Sequence, residues 1–280
     1  MGYVVIVICE HENYRFLNIK SKHAQQVLCI SISLYVNLKG KLAMSAFAKP
    51  GTYDYNATVF SPDGRLYQVE YAVELVNRGA TILGIKCPEG VVIAAEENID
   101  PLEEAVQSLK IFQIDKHIGA AIVGLGSDAR VLIQKAREEA QGIGLTYDEI
   151  ADVEAITKKI SNIQQVHTQH GGGRPFGTTL IIGGIDKTGP HIFCTHQSGT
   201  YRAYKAVSVG AGREAVQTQL KEQYRENLTL KESMQLAIKC LKGSIHARQV
   251  QAKIIIAVIP MTTKKIEFLN ETEAENFTKN

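Results

Sequence analysis

From residue 80 to residue 259 the apolar runs come in blocks: two strand pairs, two helices, strands again, two more helices and a last strand. That order fits packed layers and not a repeating βαβ sheet. Residues 80–86 (ATILGIK) and 91–96 (VVIAAE) are partly β-branched runs separated by Pro88-Glu89-Gly90, a hairpin signal. Residues 110–115 and 117–123 form a second pair. Asp128 can cap a helix running to about Gln141, with Val131, Leu132 and Ala136 at helical spacing, and residues 150–166 repeat the pattern with Ile156, Ile160 and Ile163. Strand character returns at 177–185, a turn at 186–189, and short strands at 192–195 and 206–209. Val216, Leu220 and Tyr224, then Leu230, Met234, Ile238 and Leu241, mark two further helices before an apolar strand at 254–259. The expected fold class is α+β, a four-layer sandwich of helix, sheet, sheet and helix. No Gly/Ser linker, charge block or repeat divides residues 44–280, which read as one domain.

Charge narrows the partners. With 31 Lys and Arg against 29 Asp and Glu, the net charge of +2 builds no field suited to nucleic acid or an anionic membrane. Cys9, Cys29, Cys87, Cys194 and Cys240 are odd in number, scattered and without a CxxC pair. They argue against a disulfide framework or a zinc knuckle and for a reducing, cytoplasmic setting. The apolar runs at 3–9 and 27–36 are shorter than the ~20 residues a membrane span needs. The first also lacks the basic flank of a secretory signal, so neither anchoring nor secretion is expected.

The most specific segment is SPDGRLYQVEYA, residues 61–72, preceded by Tyr53-Asp54. Pro62 and Gly64 give Ser61-Pro62-Asp63-Gly64 the backbone freedom and restriction of a turn. The helix that follows carries two apolar stripes, Leu66, Val69, Val73 and Val76 on one side and Tyr67, Tyr71 and Leu75 on another. Two stripes call for two surfaces, one within the chain and one on a neighbour, unless the helix is broadly buried in a monomer.

These residues, with the Gly79-Ala80-Thr81 lead into the first strand, closely resemble the N-terminal signature of 20S proteasome α-type subunits. From Tyr53 onward the spacing of elements is similar to that family's archaeal members. The resemblance implies the αββα sandwich of N-terminal-nucleophile hydrolases, seven-membered rings of neighbouring α subunits, and stacking on rings of catalytic β subunits. It implies no enzyme activity in this chain and no cofactor or metal. The β relatives use a threonine at a free N-terminus, and Ala80 stands at that position; Glu96 and Lys110 match the acid and lysine that surround it. Thr81 is the nearest hydroxyl.

Other roles follow only from the resemblance. Tyr53, Asp54, Pro62 and Tyr71 would hold the N-terminal tails across the pore or away from it, although Tyr55 replaces the usual Arg. Lys110, with Gly64 and Gly124, would receive the C-terminal tails of an ATPase activator ring, the lysine meeting a terminal carboxylate. His170, Gly171, Gly172, Gly173, Arg174 and Pro175 would ring the axial pore through which unfolded protein substrates pass. Here His170 replaces an aromatic residue, Gly173 a bulkier one, and Phe176 a Tyr.

Competing patterns remain open. An independent N-terminal-nucleophile hydrolase is the main alternative, with Thr81 as its candidate hydroxyl. Residues 124–129 match GxGxxA without the βαβ repeat and acidic residue of a dinucleotide site. His167 with His170, or His191, Cys194 and His196, could ligate a metal, although strand alternation sets His191 opposite the other two. Residues 1–43 lie outside the resemblance, and family tails ahead of the Tyr-Asp pair are short. Translation is therefore expected to begin at Met44, leaving 1–43 as an upstream extension; a regulatory plug or removable propeptide is the competing reading.

Overall fold

The computed structural model describes residues 4–10, 13–19, 53, 56–98, 102, 110–170, 173–270 and 273. The chain divides into two compact units, residues 1–53 and 54–280. In the first, β1 (Val4–Glu10) pairs antiparallel with β2 (Asn13–Ile19), Val4 opposite Ile19. β1 coincides with the first β-prone run, and β2 was not signalled. The run at 27–36 falls outside the described residues.

In the second unit, β3 (Ile82–Cys87), β4 (Gly90–Glu97), β10 (Ala206–Val209), β11 (Lys253–Pro260) and β12 (Glu267–Asn270) form one antiparallel sheet in the order β10-β3-β4-β11-β12. A second follows the chain, β5 (Ile111–Asp115), β6 (Ile118–Gly124), β7 (Thr178–Asp186), β8 (Gly189–Thr195) and β9 (Tyr201–Ala203). Strand alternation builds the layers. Leu83 and Ile85 on β3 and Ile254, Ile256 and Val258 on β11 join the core under α4 (Arg213–Gln223) and α5 (Leu230–Arg248), with Val216, Met234 and Leu241. Ile82, Ile255, Ala257 and Ile259 point the other way, into the inter-sheet core with Ile93, Ile181 and Ile192. On the far face of the second sheet, Ile122, Leu180 and Ile182 meet Leu132, Ile133, Ile156 and Ile160 of α2 (Gly126–Tyr147) and α3 (Val153–Gln169). The expected four layers are present.

Two glycines notch the sheets together. A Cβ on Gly84 of β3 would lie 2.9 Å from Ile181 Cγ2, and one on Gly183 of β7 would lie 2.8 Å from Val91 Cγ1. Each glycine accepts a branched side chain of the facing sheet that any larger residue would expel.

Element ends depart from expectation for tertiary reasons. α2 begins at Gly126 behind Leu125, so Asp128 is no cap; its carboxylate is engaged by Arg174 and Gly177. α3 starts at Val153, later than residue 150, because the Val153 amide, orphaned at a helix start, finds Asp186 Oδ2 at 3.2 Å on β7. The short strands β9 and β12 carried no pattern of their own. At α5, Thr229 and Glu232 exchange bonds as a capping box, a signal legible as Thr-x-x-Glu.

Candidate functional site

The turn before α1 (Tyr67–Asn77) closes as its residues dictate: the Gly64 amide donates to Ser61 O at 2.8 Å, the Arg65 amide to Ser61 Oγ at 3.1 Å, and Gly64 takes φ +74°. Pro62 is exposed, and a Cβ on Gly64 would meet nothing within 4 Å, so this turn offers open space. Arg65 forks onto Glu70, pairing with both its oxygens, and lies 5.2 Å over the Tyr67 ring. The two stripes of α1 separate in part, with Leu66 and Val73 of the first and Tyr67 of the second all half-buried. Val69, Ala72 and Val76 are buried, whereas Tyr71 is 51% and Leu75 44% exposed, with Phe60 64% exposed nearby in the sequence. The Tyr67 and Tyr71 rings stack with centroids 6.4 Å apart. Tyr53 is half-buried within the first unit, and Asp54 lies outside the described residues.

After Gly79 the chain runs unbroken through Ala80 and Thr81 into β3. Ala80 has no nucleophilic atom. Thr81 is fully buried, its Oγ1 accepting from the Gly212 amide at 2.9 Å and its own amide donating to Glu96 Oε2 at 3.0 Å. Glu96 also pairs with Arg248 at the end of α5. A hydroxyl sealed from solvent, next to an amide locked in a peptide bond, cannot support N-terminal nucleophile chemistry. Lys110, at the start of β5, is half-buried. Burial pushes its ammonium below the ordinary lysine value while the Glu97 charge opposes that, and Glu97 lies 3.4 Å from Lys253 Nζ.

The Ile122 amide donates to Lys110 O at 2.8 Å, which brings Lys110 to the end of the hairpin that carries Gly124. Gly124 has a structural reason of its own: φ is +103°, and a Cβ would stand 2.1 Å from Gly177 O. Gly64 belongs to the turn before α1, and its amide bonds within that turn to Ser61 O.

Opposite Gly124 lies the 170–177 loop. His170 caps α3, and Gly171 and Gly172 fall outside the described residues. Arg174 clamps Asp128 through two bonds of 2.6 and 2.9 Å, and the Gly177 amide reaches the same carboxylate at 2.9 Å. The buried Phe176 meets His167 edge-on at 4.6 Å, and a Cβ on Gly173 would lie 3.5 Å from His167 Cδ2. The loop is therefore anchored along its C-terminal half to the first turn of α2. Burial alone would raise the Asp128 carboxyl, but the Arg174 bonds, the Gly177 amide and the guanidinium charge outweigh it and hold the group below its ordinary 3.8. A depressed carboxylate stabilises above the ordinary range and loses that contribution as pH falls through the folded value. Asp128→Asn is thus expected to cost about 1 kcal/mol near neutrality, modest because Arg174 is half exposed. The variant and wild-type melting curves should converge only below pH 3.8; a constant gap from pH 7 to pH 2 would show that the charge does not anchor the loop.

The competing patterns separate. Gly124-Leu125-Gly126 starts at the last residue of β6, which pairs antiparallel with both β5 and β7, so the GxGxxA run has no βαβ context. His191 Nε2 lies 2.7 Å from Thr188 Oγ1 and 3.4 Å from Asp186, while His196 Nδ1 faces Ser198 Oγ at 2.8 Å. The Nδ1 atoms of His167 and His170 lie 2.9 and 3.2 Å from carbonyl oxygens one turn back. Among the described residues no three His, Cys, Asp or Glu side chains gather as a metal site, and no helix is long and apolar enough to cross a membrane. Burial lifts the Cys194 thiol to about 12 and Cys240 to about 11, and neither is in a disulfide.

Comparison with known proteins bears on the same residues. The family model for proteasome subunits matches residues 76–259, and the model for the N-terminal signature of proteasome A-type subunits matches residues 53–74. The chain is 46% identical over 234 residues to the proteasome alpha subunit of Pyrococcus abyssi, covering 83% of this chain and 89% of that one. It is 51% identical over 193 residues to that of Methanocaldococcus jannaschii, 69% of this chain and 74% of that one. To that of Methanopyrus kandleri it is 46% identical over 226 residues, 78% of this chain and 92% of that one. With the αββα layers and the α-type signature on the turn and helix α1, the chain belongs to the proteasome subunit family as a non-catalytic component of the α type.

Proposed function

We propose that this chain forms a seven-membered ring that stacks on catalytic proteasome β subunits in the cytoplasm and controls the passage of unfolded protein chains to them. The observation that carries the reading is the second stripe of α1. Tyr71 and Leu75 stand exposed on a helix whose opposite side is buried, in the segment that bears the α-type signature. A second, exposed apolar stripe on the side away from the buried one suits burial against the next subunit.

Ala80 stands at the nucleophile position of the β relatives, so peptide cleavage belongs to the partner ring. In this reading Tyr53, Asp54, Pro62 and Tyr71 set the pose of the N-terminal tail, and the 170–175 loop lines the axial opening. The bidentate Arg174–Asp128 clamp gives that loop a fixed base. Lys110, with Gly124 on the same hairpin and Gly64 in the α1 turn, receives the C-terminal carboxylates of an ATPase activator. The test is native mass measurement with and without a cognate β subunit. Seven-chain rings that acquire peptidase activity only when β is added are expected, and the activity should be lost when the β nucleophile is blocked. A monomer that cleaves peptides alone would overturn the reading in favour of an independent hydrolase.

A further inference from the structure

Residues 79–81, where α1 gives way to β3, are held from three other elements. Gly79 O accepts from the Ala211 amide at 2.8 Å, and Thr81 O accepts from the Glu96 amide at 2.8 Å. The Thr81 amide and hydroxyl are taken by Glu96 and Gly212. The 210–212 loop fits closely: a Cβ on Gly212 would stand 1.8 Å from Ser244 Oγ of α5, and one on Gly210 would stand 2.8 Å from Thr81 Cα. At the other end of the junction a Cβ on Gly79 would meet Val123 Cγ2 at 2.6 Å. The direction in which α1 leaves the sandwich is thus decided within three residues.

One ion pair stands behind this arrangement. The Glu96 side chain is only 2% exposed, and its Oε2 serves both the Thr81 amide and Arg248 Nη2. Its Oε1 has no partner among the described residues. Arg248 is the last residue of α5 and is steadied by Ser244, whose Oγ lies 3.3 Å from Nε. Removing the guanidinium would strand a buried carboxylate, which must then take up a proton or draw water into the junction. Either event disturbs the oxygen on which Thr81 depends.

We propose that Arg248 is a positioning residue for α1: by neutralising Glu96 from the end of α5, it fixes the 79–81 junction and with it the direction in which α1 presents Tyr71 and Leu75. The junction is then a joint between the α4–α5 layer and the helix that, on the ring reading, faces the neighbouring subunit. Only the assembly arm of the following test rests on the ring reading.

The full chain is compared with Arg248→Met, Arg248→Lys, Glu96→Gln and the double variant Glu96→Gln/Arg248→Met by amide hydrogen exchange and by native mass. Arg248→Met is expected to accelerate exchange at Thr81 and Gly212 by on the order of tenfold or more, leaving Leu180 and Ile182 of β7 as in wild type. It is also expected to lower the fraction of chain in rings. Arg248→Lys should recover part of the protection because the charge remains. The double variant should recover most of it, since a neutral carboxamide in place of the Glu96 carboxylate can still accept from Thr81 and needs no cation. Unchanged exchange at the junction, uniform acceleration across both sheets, or a double variant no better than Arg248→Met would each overturn the proposal. A fast junction with an unchanged ring fraction would equally remove the positioning role. If wild type forms no ring, the ring reading fails by itself, and the exchange pattern still decides whether Arg248 holds the junction.

Discussion

Deleting residues 1–55 from particles assembled with their β partner is expected to raise hydrolysis of bulky peptides by about thirtyfold. A closed gate favoured by ~2 kcal/mol leaves about 3% of particles open, and removal of the barrier releases the remainder. The acceleration should appear for long or folded-in peptides and be small for substrates that already slip through. Modification of the β nucleophile by a covalent inhibitor should proceed at the wild-type rate, since only admission changes. The turn at residues 61–64 and helix α1 begin downstream of the deletion and should survive it, which native mass would verify. If hydrolysis of bulky peptides stays flat while the ring remains intact, the segment ahead of the signature is not the barrier.

Lys110→Ala is expected to abolish stimulation by an ATPase activator while leaving ring assembly intact. A charge-assisted bond to a terminal carboxylate contributes ~1.5–3 kcal/mol, so each tail should bind about 10- to 150-fold more weakly. Several tails engage one ring at once, and the losses compound through their shared tether. The measurement is the rate of peptide hydrolysis against activator concentration for variant and wild type. Unchanged stimulation would remove Lys110 from the docking site. pH offers a second check on the same group. Because burial holds the folded value below 10.5, the cation disappears as pH rises through that lowered value, and docking should fade earlier on the alkaline side than an exposed lysine would permit.

Where the chain announced its structure, it did so through periodicity. Leu83 and Ile85 alternate with Ile82 and Gly84, and each set lies in the layer that a two-residue repeat demands. The double stripe on α1 was legible in part: Val69 and Val76 of the first are buried, and Tyr71 and Leu75 of the second are more than two-fifths exposed. Local rules misled where a distant partner intervened. Asp128 read as a cap because caps are recognised within four residues, whereas its partner Arg174 lies 46 positions away. Asp186 read as a turn residue and also supplies the acceptor for the first amide of α3. The Glu96–Arg248 pair spans 152 positions, and no spacing rule relates two such residues. By contrast the Thr229–Glu232 box closes within four residues, inside the reach of a local rule, although the sequence reading did not use it. Ala80, Lys110 and the 170–175 loop acquired meaning from resemblance, because a lone strand lysine or a glycine-rich loop has no distinctive pattern of its own.

The notches at Gly84 and Gly183 bear on how such a subunit can respond to force. Sliding one sheet over the other would have to lift Ile181 out of one recess and Val91 with Ile93 out of the other, against a core that has no slack to receive them. The two sheets are keyed together and resist shear, so the sandwich behaves as a single rigid block. On the proposed function, a pull transmitted through a substrate or a push from a docking tail would then be converted into tilt of whole subunits about their mutual contacts and not into deformation of any one of them. In the proposed ring, seven such keyed blocks would make a collar whose aperture changes by rocking, with the lining of its opening carried passively on each block.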